Sequence, residues 1–149
     1  MRRIAELRIG SSVLKAAACA LLLAPLAALG DEAVFEVNLS GPEASGDPDG
    51  TGQATVTLKP ATNEVEVRLS YSNIAEPTAM HLRKGATGTA GNVEVPLVIE
   101  RTGRGSVVGR RKSASPGIVE RIAKSPGEYY LVVITGEYPV GALRGPLEE

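Results

Sequence analysis

Asn63-Glu64-Val65-Glu66-Val67-Arg68-Leu69-Ser70-Tyr71-Ser72, followed after a short turn by Thr78-Ala79-Met80-His81-Leu82-Arg83, decides the fold class. Val65, Val67, Leu69 and Tyr71 alternate with Glu64, Glu66, Arg68 and Ser70. That strict period of two gives a strand one apolar face and one wet face. The turn at residues 72–77 leads into a second strand, residues 78–83, which carries the only histidine of the chain, His81.

Working outward, residues 53–59 repeat the pattern with Ala54, Val56 and Leu58 inward. Pro60-Ala61-Thr62-Asn63 is a tight connection, so residues 53–59 and 63–72 form an antiparallel hairpin. Residues 34–40 give a further strand, with Phe35, Val37 and Leu39 on one face. Residues 41–52 are a loop rich in Gly, Pro, Ser and Asp. Beyond the histidine, residues 85–92 are a loop of Gly, Thr and Ala. Residues 93–100 form a strand that contains Pro96, which places it at an edge or over a bulge. Residues 101–111 are polar with three glycines, and residues 116–124 suit either a short helix or a strand. Residues 129–134 are continuously apolar, as in a central strand buried on both faces. Residues 141–147 close the domain. Seven to eight short strands, without a repeat or a long helix, predict an all-β fold: an antiparallel, Greek-key-like β-sandwich.

The chain has 149 residues, which suits one domain after a leader. Arg2, Arg3, Arg8 and Lys15 precede an apolar run at residues 16–26, and Ala28-Leu29-Gly30 is a small-x-small site. Residues 1–30 therefore read as a signal peptide, too short in its apolar part for a transmembrane span, with cleavage after Gly30. The domain at residues 31–149 is then exported, periplasmic or secreted. It keeps 12 basic and 16 acidic residues and no cysteine. An exported domain without disulfides depends on its core alone, and mild acidity argues against nucleic acid as a partner.

Four segments resemble one family. They are Phe35-Glu36-Val37-Asn38-Leu39-Ser40-Gly41, Gly50-Thr51-Gly52-Gln53-Ala54-Thr55-Val56, Ala79-Met80-His81-Leu82, and the closing pair Gly127-Glu128-Tyr129-Tyr130 with Pro139-Val140-Gly141-Ala142-Leu143-Arg144-Gly145. In this order and spacing the chain resembles the CHRD domain family, the chordin-type domain found in exported bacterial proteins. The resemblance marks His81 and Arg144 as family-motif positions. It also implies departures. The family shows His-x-His where this chain has His81-Leu82-Arg83, a late histidine where it has Ile134, and an acid where it has Ala142.

Chemistry is sparse. One histidine with scattered carboxylates does not make a tight transition-metal site. Asp47-Pro48-Asp49-Gly50-Thr51-Gly52 has the look of a calcium loop but holds Leu58 where the bidentate acid belongs. Neither a nucleophile elbow nor a phosphate loop is present. The expectation is no catalytic, cofactor or metal residues. Arg101, Arg104, Arg110, Arg111 and Lys112, with Arg121 and Lys124 beyond them, form the one local asymmetry of charge. They are a surface for an anionic polymer, a lipid headgroup or an acidic protein, or else a solvated loop. The reading is a non-catalytic binding or structural module. Its alternative is a degenerate relative of a metal-dependent, superoxide dismutase-like β-sandwich enzyme.

Overall fold

Alternation becomes strand at each place where it is clear. β1 (Ala33–Ser40), β2 (Thr51–Lys59), β3 (Glu64–Ser72) and β4 (Pro77–Lys84) follow one another, with a four-residue helix α1 (Gly41–Ala44) after β1. β5 (Asn92–Gly103), β6 (Ser106–Arg111), helix α2 (Ile118–Lys124), β7 (Tyr129–Thr135) and β8 (Leu143–Pro146) complete the order. A computed structural model describes residues 32–148. The leader assigned to residues 1–30 lies outside the described residues. No helix among them is long and apolar enough to cross a membrane.

The strands do not form a sandwich. They close into one antiparallel barrel in the order β1-β2-β3-β6-β5-β4-β7-β8, and Ser40 opposite Arg144 joins the last strand to the first. Closure removes every sheet edge. Greek-key connectivity is kept, because β4, β5 and β6 are consecutive neighbours and β6 returns beside β3.

Inward positions fill the lumen with Val37, Val56, Val67, Leu69, Met80, Leu82, Leu131 and their neighbours. The two connections between non-neighbouring strands close the ends. Residues 73–76 cross one end and pack Ile74 on the core. α2 plugs the other with Ile118, Val119 and Ile122, so the ambiguous segment is a helix with one buried face. Pro96 is in an internal strand rather than an edge strand. It is tolerated because the β5–β6 pairing begins only at Val98, and a bulge in the β4–β5 pairing precedes it.

Candidate functional site

Because Met80 and Leu82 face the lumen, His81 and Arg83 face outward on the same wall. The register carries this face across two more strands. His81 lies opposite Val132, and Val132 opposite Arg144. One step along, Arg83 lies opposite Tyr130. Tyr130 and Val132 are fully buried although they point away from the lumen. Something therefore covers this wall, which confirms a strand buried on both faces.

The cover is the loop between β4 and β5. Tyr130 Oη donates to the Thr89 carbonyl at 2.7 Å and accepts from the Gly91 amide at 2.9 Å. Arg144 Nη1 donates to the carbonyls of Thr87 (3.0 Å) and Thr89 (2.9 Å), and Nη2 to that of Val140 (3.4 Å). Its guanidinium lies 5.6 Å from the centroid of the Tyr130 ring. Arg144 is only 6% exposed. It thus acts as a fixed cation stitching two loops to the wall, in the fork geometry that suits arginine better than lysine. Gly141 makes this approach feasible: its φ is +145°, and a Cβ there would stand 3.1 Å from Val132 and 3.4 Å from Arg144 Nε.

The departures from the family pattern fall together here. Arg83 is two residues from His81 on the same face. Ile134 is two residues beyond Val132 on β7, opposite Ala79. Ala142, whose amide donates to the Val133 carbonyl at 2.7 Å, precedes Leu143 and Arg144. One histidine, two arginines and a tyrosine remain. Burial, and then the charge of Arg83, hold the His81 imidazole below its ordinary value of 6.5. Among the described residues, no group of three or more His, Cys, Asp or Glu side chains is placed to hold an ion.

The basic residues of the sequence are dispersed. Arg101 and Arg104 belong to the β5–β6 hairpin at one end of β6, while Arg111 and Lys112 lie at the other. Six strand residues set these ends about 20 Å apart. Arg101 pairs with Glu76 at 2.8 Å. Arg110 sits between Glu66, at 2.9 Å, and Glu100, and Glu66 also takes Arg68 at 2.8 Å. The hydrogen bond from Arg110 holds the Glu66 carboxyl below its usual 4.5. Lys124 pairs with Glu120 at 2.6 Å. Arg104, Arg111, Lys112 and Arg121 enter no ion pair among the described residues.

Asp47 donates its amide to the Ala142 carbonyl of the β7–β8 loop at 3.2 Å, and burial followed by the neighbouring Asp49 pushes the Asp47 carboxyl up. An open cleft of about 290 Å³ lies on another part of the wall, lined by Glu36, Gln53, Thr55, Arg68, Ser70 and Ser106 among others. Several of its polar groups are already paired, as in Thr55 to Glu36 at 2.9 Å. The β4–β7–β8 face is therefore the stronger candidate, because His81 Nδ1, Arg83 Nε and Arg144 Nε are buried there without a hydrogen-bond partner. The sequence marks Tyr130 within a family-like segment and residues 85–92 as a loop, but carries no signal that the two meet at a site. Arg83 was within reach, since period two places it on the face of His81.

A family model, the CHRD domain, matches residues 35–147. No curated protein and no solved structure is similar to the chain at a significant level.

Proposed function

The chain belongs to the CHRD domain family, and we propose that it is an exported, non-catalytic recognition module whose binding face is the wall of β4, β7 and β8. One observation carries this reading. The family-motif face offers His81, Arg83, Arg144 and Tyr130, a set rich in donors and positive charge, in which neither arginine makes an ion pair among the described residues. A nucleophile needs an oriented base, and a metal needs several lone pairs; a guanidinium supplies neither. Such a face can hold a ligand without turning it over. The metal-dependent alternative is disfavoured on the same ground, because its second histidine is Arg83 here. Arg101 and Arg110 serve the frame through ion pairs. Arg104 at one end of β6, and Arg111 with Lys112 at the other, are left to make separate contacts with an anionic partner.

The test uses the exported protein itself. Intact mass is expected to place the first residue at Asp31. Elemental analysis after dialysis against a chelator is expected to find less than stoichiometric copper or zinc, with no superoxide dismutation. One tightly held ion per chain, or turnover, would overturn the non-catalytic reading.

A further inference from the structure

Three buried side-chain nitrogens among the described residues lack a hydrogen-bond partner: His81 Nδ1, Arg83 Nε and Arg144 Nε. All three belong to outward residues of β4 and β8, gathered around Tyr130 and Val132. An unpaired buried donor costs about 1–3 kcal/mol, and more when charged. Three on one face therefore call for an explanation.

Charge is unbalanced at the same place. None of the ion pairs among the described residues includes Arg83 or Arg144. β5 sets Pro96 beside His81 and β7 sets Val132 there; neither titrates. The nearest acid in register is Glu94, in the bulge between Leu82 and Arg83, and it pairs with neither arginine. Glu128, at the end of β4, is taken by Lys84 at 3.7 Å. Arg144 cannot turn toward a distant counter-charge, because its Nη atoms are committed to three carbonyls. Arg83 and His81 are half-buried and keep part of their surface in solvent. They stand two strand residues apart on one face, roughly 6.6 Å, a gap that a single oxyanion can bridge.

We propose that this wall binds a small oxyanion, of carboxylate or phosphate type, between Arg83 and His81 and above the fixed charge of Arg144. Arg83 presents the planar fork that matches two oxygens of such a group. The 85–91 loop covers Tyr130 and holds Arg144, so the ligand meets the half-exposed side chains of Arg83 and His81 beside a floor that is itself dry. This rests on the wall being a recognition site, as proposed above.

The experiment titrates the mature protein with sodium phosphate, and separately with sodium acetate, at constant ionic strength held by sodium chloride. Amide and imidazole shifts are followed by nuclear magnetic resonance. Saturable shifts confined to residues 81–83, 130–132 and 144 are expected, together with a rise in the His81 titration midpoint. Arg83→Gln should weaken binding about tenfold or more, the loss of one charged hydrogen bond. His81→Gln provides a second, independent loss, and Arg68→Gln, at an exposed residue of β3 paired with Glu66, should change nothing. Saturation by phosphate alone assigns a phosphoryl ligand, and saturation by both anions includes carboxylates; either result upholds the inference. Shifts that grow linearly over the whole surface, or saturation that is equal in Arg83→Gln, would overturn it. If oxyanions fail while the protein also lacks metal and turnover, this inference falls and the non-catalytic reading stands.

Discussion

Replacing Arg144 by lysine tests whether a guanidinium, rather than a charge, holds the cover of the β4–β7–β8 wall in place. Arg144→Lys keeps the cation but reduces a planar fork to a single ammonium. Of the three bonds, those to Thr87 and Thr89 are short, at 3.0 and 2.9 Å, and that to Val140 is long, at 3.4 Å. Lysine can keep one of the short pair. A hydrogen bond to a charged group contributes about 1.5–3 kcal/mol. The freed carbonyl lies on an exposed loop and regains water, so the net loss should fall near 1–2 kcal/mol. Two readouts separate the global from the local effect. Urea unfolding should show the loss in stability. Hydrogen exchange at the Gly91 amide, which Tyr130 Oη accepts, should quicken about tenfold if opening of the 85–91 loop becomes 1.4 kcal/mol easier. Arg111→Lys is the control, since Arg111 is exposed and donates only to the Ser113 carbonyl at 3.3 Å. An Arg144→Lys protein within 0.5 kcal/mol of wild type, with Gly91 exchange unchanged, would refute the idea that the fork secures the loop.

Three further outcomes follow from the same geometry. Leu69→Ala, at a residue 2% exposed, should cost about 2–5 kcal/mol and lower the melting temperature by roughly 10 °C, whereas Arg68→Ala, with its side chain 69% exposed, should shift it by less than about 3 °C; equal shifts would reverse the facing of β3. Gly141→Ala should destabilise by more than about 1 kcal/mol, since φ is +145° and Val132 stands 3.1 Å from the added carbon; an unchanged urea midpoint would remove the need for glycine there. Stability should decline on the acid side in two steps. His81 is held below 6.5, so its contribution is complete above that value and is lost as pH falls through the lower folded value. Glu66 is held below 4.5, so its contribution is complete above 4.5 and is lost further down. Glu66→Gln should erase the lower step, and a pH–stability curve indistinguishable from wild type would count against the Arg110 pairing.

Much of the barrel was legible because period two survives wherever the inward residue is apolar. β6 was hidden for a physical reason. Its inward residue Gly109 has no side chain, and Met80 fills the space: a Cβ at Gly109 would sit 2.5 Å from the Met80 methyl. Without an apolar beat, Ser106–Arg111 read as polar loop. Closure was hidden too. A strand in a sandwich and one in a barrel share the same alternation, and what distinguishes them here is the pairing of β1 with β8, residues 40 and 144 in sequence. The candidate site was legible only in part. His81 and Arg83 share a strand, so their common face follows from spacing. Apart from Val140, the partners of Tyr130 and Arg144 lie 39 to 57 residues away in the chain, and local pattern says nothing about contacts of that range.

The clustering of the departures from the family pattern permits a constructive experiment. Arg83 and Ile134 flank the row of His81 and Val132 on one wall. Two imidazoles at i and i+2 share a face and can share one zinc, whereas residues 83 and 134 stand on opposite sides of the 81–132 row, about 13 Å apart along the strands, too far to reach the same ion. Arg83→His alone gives two ligands beside the Arg144 charge, and is expected to bind zinc weakly and substoichiometrically. Adding Ile134→His should leave the zinc content below one per chain, without the stabilisation of about 2.7 kcal/mol that a tight ion gives when free zinc is one hundred times the dissociation constant. Both substitutions fall on outward positions outside the lumen, so neither opens a cavity in the core. The same double variant should lose oxyanion binding, because the fork that grips oxygen is gone. Elemental analysis and thermal unfolding with and without zinc read the first effect, and the phosphate titration reads the second. A double variant that holds one zinc per chain would mean that residues 81, 83 and 134 converge, against the register of β4 and β7.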